Sequence, residues 1–292
     1  MKLFFIVSLF FLGNTIAQTN REKKNYKIKK RTFSYKKIKS QKNLKLDLYQ
    51  PKNNNEKKPI LVYVHGGGFS SGKRNDKISK YFCQEMAKQG YIVASLSYRL
   101  TMKNIGFGCN VPASLKIKAF NEGSKDIYEA VQYLISKKEK FKINEKKIIL
   151  IGSSAGAETV LHLAYSKEAL KNNISFAGLV AMAGAATSLK YISKETAIPT
   201  QLFHGVKDKL VPYNIAPHHY CKKTDPGYLT LYGSKAIAEK LKKLNTSYYL
   251  YTIKEGNHSW NTRPIYEARD TILDFIKDAI VNQKMLQKEV IH

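Results

Sequence analysis

At 292 residues the chain has room for one large domain with a full hydrophobic core or two small ones, and 43% hydrophobic residues exclude a disordered chain. A formal charge of +28, from 50 Lys+Arg against 22 Asp+Glu, admits nucleic acid, an anionic surface or a polyanionic substrate as partners. Lysine far outnumbers arginine, however, the lysines scatter along the chain and no nucleic-acid motif occurs, so the charge reads as a Lys-rich surface and no nucleic-acid partner is expected.

The chain opens with a short positive start, Met1-Lys2, an apolar run from Leu3 to Leu12, a break at Gly13-Asn14, and small residues at the outer positions of Thr15-Ile16-Ala17. That is the layout of a secretory signal peptide over 1–17, cleaved after Ala17. An uncleaved anchor is the competing reading, but the apolar run is short for a membrane span. Residues 18–292 are expected to form one secreted or periplasmic domain with no stable membrane span.

Lysines are densest over Lys23–Lys42. Alternation in Leu44-Lys45-Leu46-Asp47-Leu48-Tyr49 predicts a half-exposed antiparallel start within 25–50. From residue 58 on, strands and helices alternate. Buried strands are predicted at 59–64, 91–98, 147–151, 176–182, 199–203 and 248–253. Helices are predicted at about 77–89, 119–137, 155–165, 233–243 and 265–281. Residues 101–118 read as irregular, 211–228 as a polar, Pro-containing segment, and the tail after Asn282 as frayed. Continuous apolar strands in repeated β–α units mean an α/β fold, a mostly parallel sheet with helices on both faces. An exported protein can form disulfides. Cys109 and Cys221 both lie in Gly/Pro-bearing loops after strands and are expected to pair, leaving Cys83 buried in a helix; sequence alone leaves other connectivities open. No cysteine has zinc-site spacing.

The chemistry centres on Gly152-Ser153-Ser154-Ala155-Gly156, a G-x-S-x-G placed after a buried strand and opening a helix. A nucleophile on so tight a turn needs small neighbours two residues either side, and the helix N-terminus behind it favours developing negative charge. Upstream, His65-Gly66-Gly67-Gly68-Phe69 follows an earlier strand, and its glycines let backbone N–H groups converge on a small space. Gly67, Gly68 and Ala155 are the expected oxyanion donors; a plain glycine turn or anion nest is the alternative. A serine hydroxyl needs a base. His258, in Glu255-Gly256-Asn257-His258-Ser259-Trp260 past the last strand, fits on chain order. His162 and His204 read as structural, and His218-His219 as bordering the substrate site. Asp208, in the first loop after the preceding strand, is the expected acid that orients the imidazole, ahead of Asp225 in a turn and Asp270 on the closing helix. Asp126 reads as a structural anion.

The combination resembles the esterase/lipase group of α/β-hydrolases with the HGGG oxyanion motif, similar to hormone-sensitive-lipase-like and carboxylesterase-like enzymes, over about residues 42–280. The strand end Ser97-Tyr98-Arg99-Leu100 has the same likeness. The resemblance implies an α/β-hydrolase fold and a serine carboxylic ester hydrolase working through an acyl-enzyme on small-molecule esters. The substrates expected are short acyl esters, carbohydrate-linked ones included, and no metal or organic cofactor is required. Two departures stand out: Ser153 takes the place where many relatives carry an acidic residue, and an acid sits instead at Glu158. A peptidase of related fold and a non-catalytic binding protein on the same scaffold are the competing readings.

Overall fold

The apolar runs become strands of one sheet. In the computed structural model, which describes residues 25–39, 42–167, 169 and 173–292, the strands are β1 (Ile28–Lys36), β2 (Leu44–Pro51), β3 (Lys58–Val64), β4 (Ile92–Leu96), β5 (Ile143–Ser153), β6 (Gly178–Met182), β7 (Ala185–Ala186), β8 (Thr200–Gly205), β9 (Ile215–Pro217), β10 (Thr230–Gly233), β11 (Tyr248–Ile253) and β12 (Gln287–Ile291). The helices are α1 (Lys77–Lys88), α2 (Ala113–Ser136), α3 (Lys138–Phe141), α4 (Ala155–Tyr165), α5 (Ser234–Lys243), α6 (Pro264–Glu267) and α7 (Arg269–Phe275). The expected signal peptide, residues 1–17, lies outside the described residues.

The main sheet has nine strands in the order β1-β2-β4-β3-β5-β6-β8-β11-β12. β2 pairs antiparallel with both its neighbours, and every pairing from β4 to β12 is parallel. The continuous hydrophobicity of the central strands follows from this, because both faces are covered. Ile60, Val62 and Val64 of β3 join the core shared with α2, α4 and α5, which contribute Phe120, Val160 and Ile237. Leu61 and Tyr63, pointing the other way, join Phe82 and Met86 of α1 and Ile272 and Phe275 of α7. Full burial of such side chains contributes about 1.5–3 kcal/mol each.

The structure departs from the sequence expectations in four places. Helix α2 begins at Ala113, six residues earlier than 119, because the first amide donates to Pro226 O at 2.9 Å and Lys116 is fully buried. The closing helix is broken: α6 and α7 are separated at Ala268 (φ −133°), and Ile276–Val281 continues as a π-helical turn. The tail is not frayed, since β12 pairs in parallel with β11 over Tyr248–Thr252 and Tyr251 stacks on His292. Finally, the segment that reads as polar and Pro-containing over 211–228, with no strand expected in it, supplies β9 to a small second sheet, ordered β7-β10-β9.

Cys109 and Cys221 form a disulfide, and Cys83 is free and buried. The bridge spans 112 residues and ties the loop before α2 to the loop after β9. Constraining a loop of that length in the unfolded chain corresponds to about 5 kcal/mol in the chain-entropy account. The double variant Cys109→Ser/Cys221→Ser is therefore expected to lose several kcal/mol in denaturant unfolding, whereas Cys83 is buried, which raises its thiol pKa, and is expected to react with thiol reagents only slowly in the native protein.

Candidate active site

Strand β5 runs straight into helix α4 through one residue, Ser154, whose φ of 50° and ψ of −122° lie in a region side chains rarely adopt. The turn closes only because its flanks lack Cβ atoms. A Cβ on Gly152 would lie 2.4 Å from Gly156 O, and one on Gly156 would lie 2.2 Å from Val64 O. Ser154 N donates to Met182 O of β6 at 2.9 Å, and Glu158 N returns to Ser154 O at 2.9 Å, so the backbone on both sides of the nucleophile candidate is fixed. Such local strain is held by the surrounding structure and is characteristic of functional turns.

The structure brings the three expected side chains together. Ser154 Oγ lies 2.9 Å from His258 Nε2, and His258 Nδ1 lies 2.7 Å from Asp208 Oδ2. Each is delivered by the C-terminal end of a parallel strand: Ser154 by β5, Asp208 by β8 and His258 by β11. Asp208 is buried, and its Oδ1 accepts from the N–H groups of Leu210 (2.8 Å) and Val211 (3.0 Å). Burial alone would raise its pKa, but hydrogen bonds from His204 and His258, and the charge those rings can carry, outweigh it and hold the carboxyl well below the usual range. Asp225 accepts instead from Lys222 N within its own turn, and Asp270 is exposed on α7.

The HGGG loop packs against the elbow, since a Cβ on Gly66 would lie 2.9 Å from Ser153 O and 3.1 Å from Ser154 Cβ. Gly67 has φ +119° and returns its carbonyl to the N–H groups of Ser70 and Ser71, which folds the loop over. Among the described residues neither the Gly67 nor the Gly68 amide donates to a protein acceptor. Ala155 opens α4, so its N–H is one of the donors an α-helix leaves without an intrahelical partner. His65 is buried against Tyr98, whose hydroxyl donates to His65 O at 2.9 Å, and burial lowers its pKa so that it stays neutral. It anchors the loop.

A cavity of about 340 Å³ opens beside Ser154, lined by Gly67, Gly68, Phe107, Glu158, Val211, His218, His219 and His258 among others. Phe107 comes from the 101–118 stretch and Val211, His218 and His219 from the 211–228 segment, the two stretches on either side of the disulfide. Sequence reasoning missed two supports. His204 is more than structural filler: its Nε2 lies 3.3 Å from Asp208 Oδ2 while its Nδ1 is 2.8 Å from Ser234 Oγ, so it steadies the acid from behind. Ser153 Oγ donates to Asn261 O at 2.6 Å, tying the elbow to the turn that carries His258. The Ser153 contact has no local signal, because its partners are 108 residues apart in the chain, whereas His204 lies only four residues before the acid it braces. His162 meets Asn121 and Thr187 away from Ser154, and Asp126 is buried and ion-paired to Arg99 and Lys36, pinning α2 to the end of β4.

Residues 46–182 match the family model described as BD-FAE. The chain is 31% identical over 152 residues to Gut esterase 1 of Caenorhabditis elegans, covering 46% of this chain and 24% of that protein. It is 30% identical over 122 residues to phenmedipham hydrolase of Pseudarthrobacter oxydans, covering 41% and 23%. These matches thus span about a quarter of the length of the curated relatives. Among solved structures, a thermophilic esterase, Est2, of the Planctomycetes species Thermogutta terrifontis superposes with a TM-score of 0.61 at 18% identity over 91% of this chain and 95% of that one. A form of the same esterase phosphonylated by cyclosarin superposes with a TM-score of 0.60 at 17% identity, over 88% and 95%. With the nine-stranded order, the strained serine elbow and these superpositions taken together, the chain has the α/β-hydrolase fold, and its residues 46–182 are similar to the BD-FAE family.

Proposed function

We propose that the chain is an exported serine carboxylic ester hydrolase acting on short acyl esters. The observation that carries the reading is the unbroken line from Ser154 Oγ through His258 to Asp208, set beside the unpartnered Gly67 and Gly68 amides at one cavity. His258 Nε2 takes the Ser154 proton as Oγ attacks the ester carbonyl. The N–H groups of Gly67, Gly68 and Ala155 hold the oxyanion, where each donor is worth about 2.7–4 kcal/mol. The imidazolium then protonates the departing alcohol, leaving an acyl-enzyme that water hydrolyses by the same route in reverse. Asp208 stays ionised throughout and stabilises the imidazolium. The cavity size favours short acyl groups over long chains. Export is supported by the leader-like pattern of residues 1–17 and by the disulfide, which suits an oxidising compartment.

The test uses the protein from Gln18 onward with p-nitrophenyl acetate, butyrate and octanoate, together with an organophosphonate that labels activated serines. Turnover falling with chain length and stoichiometric labelling of Ser154 are expected. A folded protein that neither labels nor turns over any of the three esters is a binding protein on a hydrolase scaffold.

A further inference from the structure

We infer that Glu158 and His218 form a hydrogen-bonding wall in the cavity beside Ser154 that selects esters bearing a hydroxyl group on the part that enters it; this deepens, and rests on, the esterase reading above. Glu158 follows Ser154 by one turn of α4, lines the same cavity, and is 3% exposed. Its Oε1 has no hydrogen-bond partner. His218, 1% exposed, places Nε2 at 3.4 Å from that oxygen without forming a hydrogen bond, and its own Nδ1 is also unpartnered. Two buried polar groups with unused capacity in one cavity are unusual, because each such group costs stability when nothing pairs with it. A ligand group that hydrogen-bonds both recovers that cost. An alkyl chain lying on the same wall would not.

The chemistry of the wall narrows the ligand. Burial raises the Glu158 carboxyl pKa, with Asp208 adding to the rise and Lys116 opposing it, and burial lowers the His218 imidazole pKa. Both shifts favour the uncharged forms, in which one group offers an acid O–H and the other a ring that donates or accepts. A neutral hydroxyl, which donates and accepts, complements them. An ammonium group would meet the cation of Lys116, held on this side of the cavity by Gly227 O at 2.9 Å and lying over the Phe107 ring. A carboxylate would meet the negative charge of Asp208. The wall is also pre-organised: His219 and Tyr220 both have left-handed φ (56° and 54°), and Cys221 is anchored by the disulfide directly after them.

Two matched ester pairs test the inference: p-nitrophenyl butyrate against p-nitrophenyl 3-hydroxybutyrate for the acyl side, and propyl butyrate against 1-butyrylglycerol for the alcohol side. The expected result is a preference in kcat/KM of about tenfold or more for the hydroxylated member of at least one pair. In Glu158→Leu and in His218→Leu, with Ser154 still labelled by the organophosphonate, the ratio of kcat/KM between the hydroxylated and alkyl members falls toward parity. Discrimination below about twofold in both pairs by the unaltered protein, or a preference that survives both leucine variants, overturns the inference and leaves the esterase reading standing. No turnover of any of the four esters, with Ser154 unlabelled, overturns the esterase reading and takes this inference with it.

Discussion

Replacing Ser154 with alanine is expected to lower kcat on p-nitrophenyl butyrate by about 10⁶-fold, the loss seen when one member of a cooperating nucleophile–base unit is removed. The fold should be untouched. The substitution deletes one hydroxyl whose hydrogen bond is to His258, and the backbone links to Met182 and Glu158 do not depend on the side chain. Alanine inherits the same strained φ, so no strain is added or relieved. The unfolding midpoint in denaturant should match the parent to within about 0.5 kcal/mol. The neighbouring Ser153 cannot substitute, because its hydroxyl is committed to Asn261 O at 2.6 Å. Turnover above about 1% of the parent would remove Ser154 from the nucleophile's role.

Asp208→Asn is expected to cost about 10⁴-fold in kcat with little change in KM. Asparagine can fill the same space, but its amide can present N–H to His258 Nδ1, which favours the tautomer that cannot accept the serine proton. The same variant has a stability signature. The folded-state pKa of Asp208 is depressed below that of the unfolded chain, so its contribution is fully present above the unfolded value, near the ordinary 3.8, and is lost as pH falls through the folded value. The stability gap between the parent and the asparagine variant should therefore be wide at pH 7 and shrink below pH ~4. Chemical denaturation at the two ends of that range measures it, and a gap independent of pH would mean that the carboxylate is not ionised and paired in the native state.

The parts of this molecule that rest on short-range physics were legible in the sequence. Buried strands betray themselves by unbroken apolar runs, so β3, β8 and β11 are placed to within two residues. The elbow and the HGGG loop are contiguous motifs whose glycines are needed where a Cβ would collide with Val64 O or Ser71 O. Chain order then ranked His258 and Asp208 above their rivals. What the sequence concealed is tertiary. Gln287-Lys288-Glu289-Val290-Ile291 carries no pattern of its own and is a strand only because β11 offers it an open edge. The start of α2 depends on the Pro226 carbonyl, 113 positions on from the amide that it accepts. His204 reads as structural and His218 as bordering the substrate site, but only packing shows that the first braces Asp208 and that the second faces Glu158.

The order of the sheet has one further consequence, for how the protein matures. Ser154 and His258 are 104 residues apart in the chain and their strands are separated within the sheet by β6 and β8, while Asp208 and His258 are 50 apart on neighbouring strands. No local fragment can assemble this constellation, because each contact closes a long loop whose entropy is repaid only when the neighbouring strands have docked. Catalytic competence is therefore a property of the finished sheet. A nascent or partly folded chain, however helical, has Ser154 without His258 beside it until the sheet has reached its final topology.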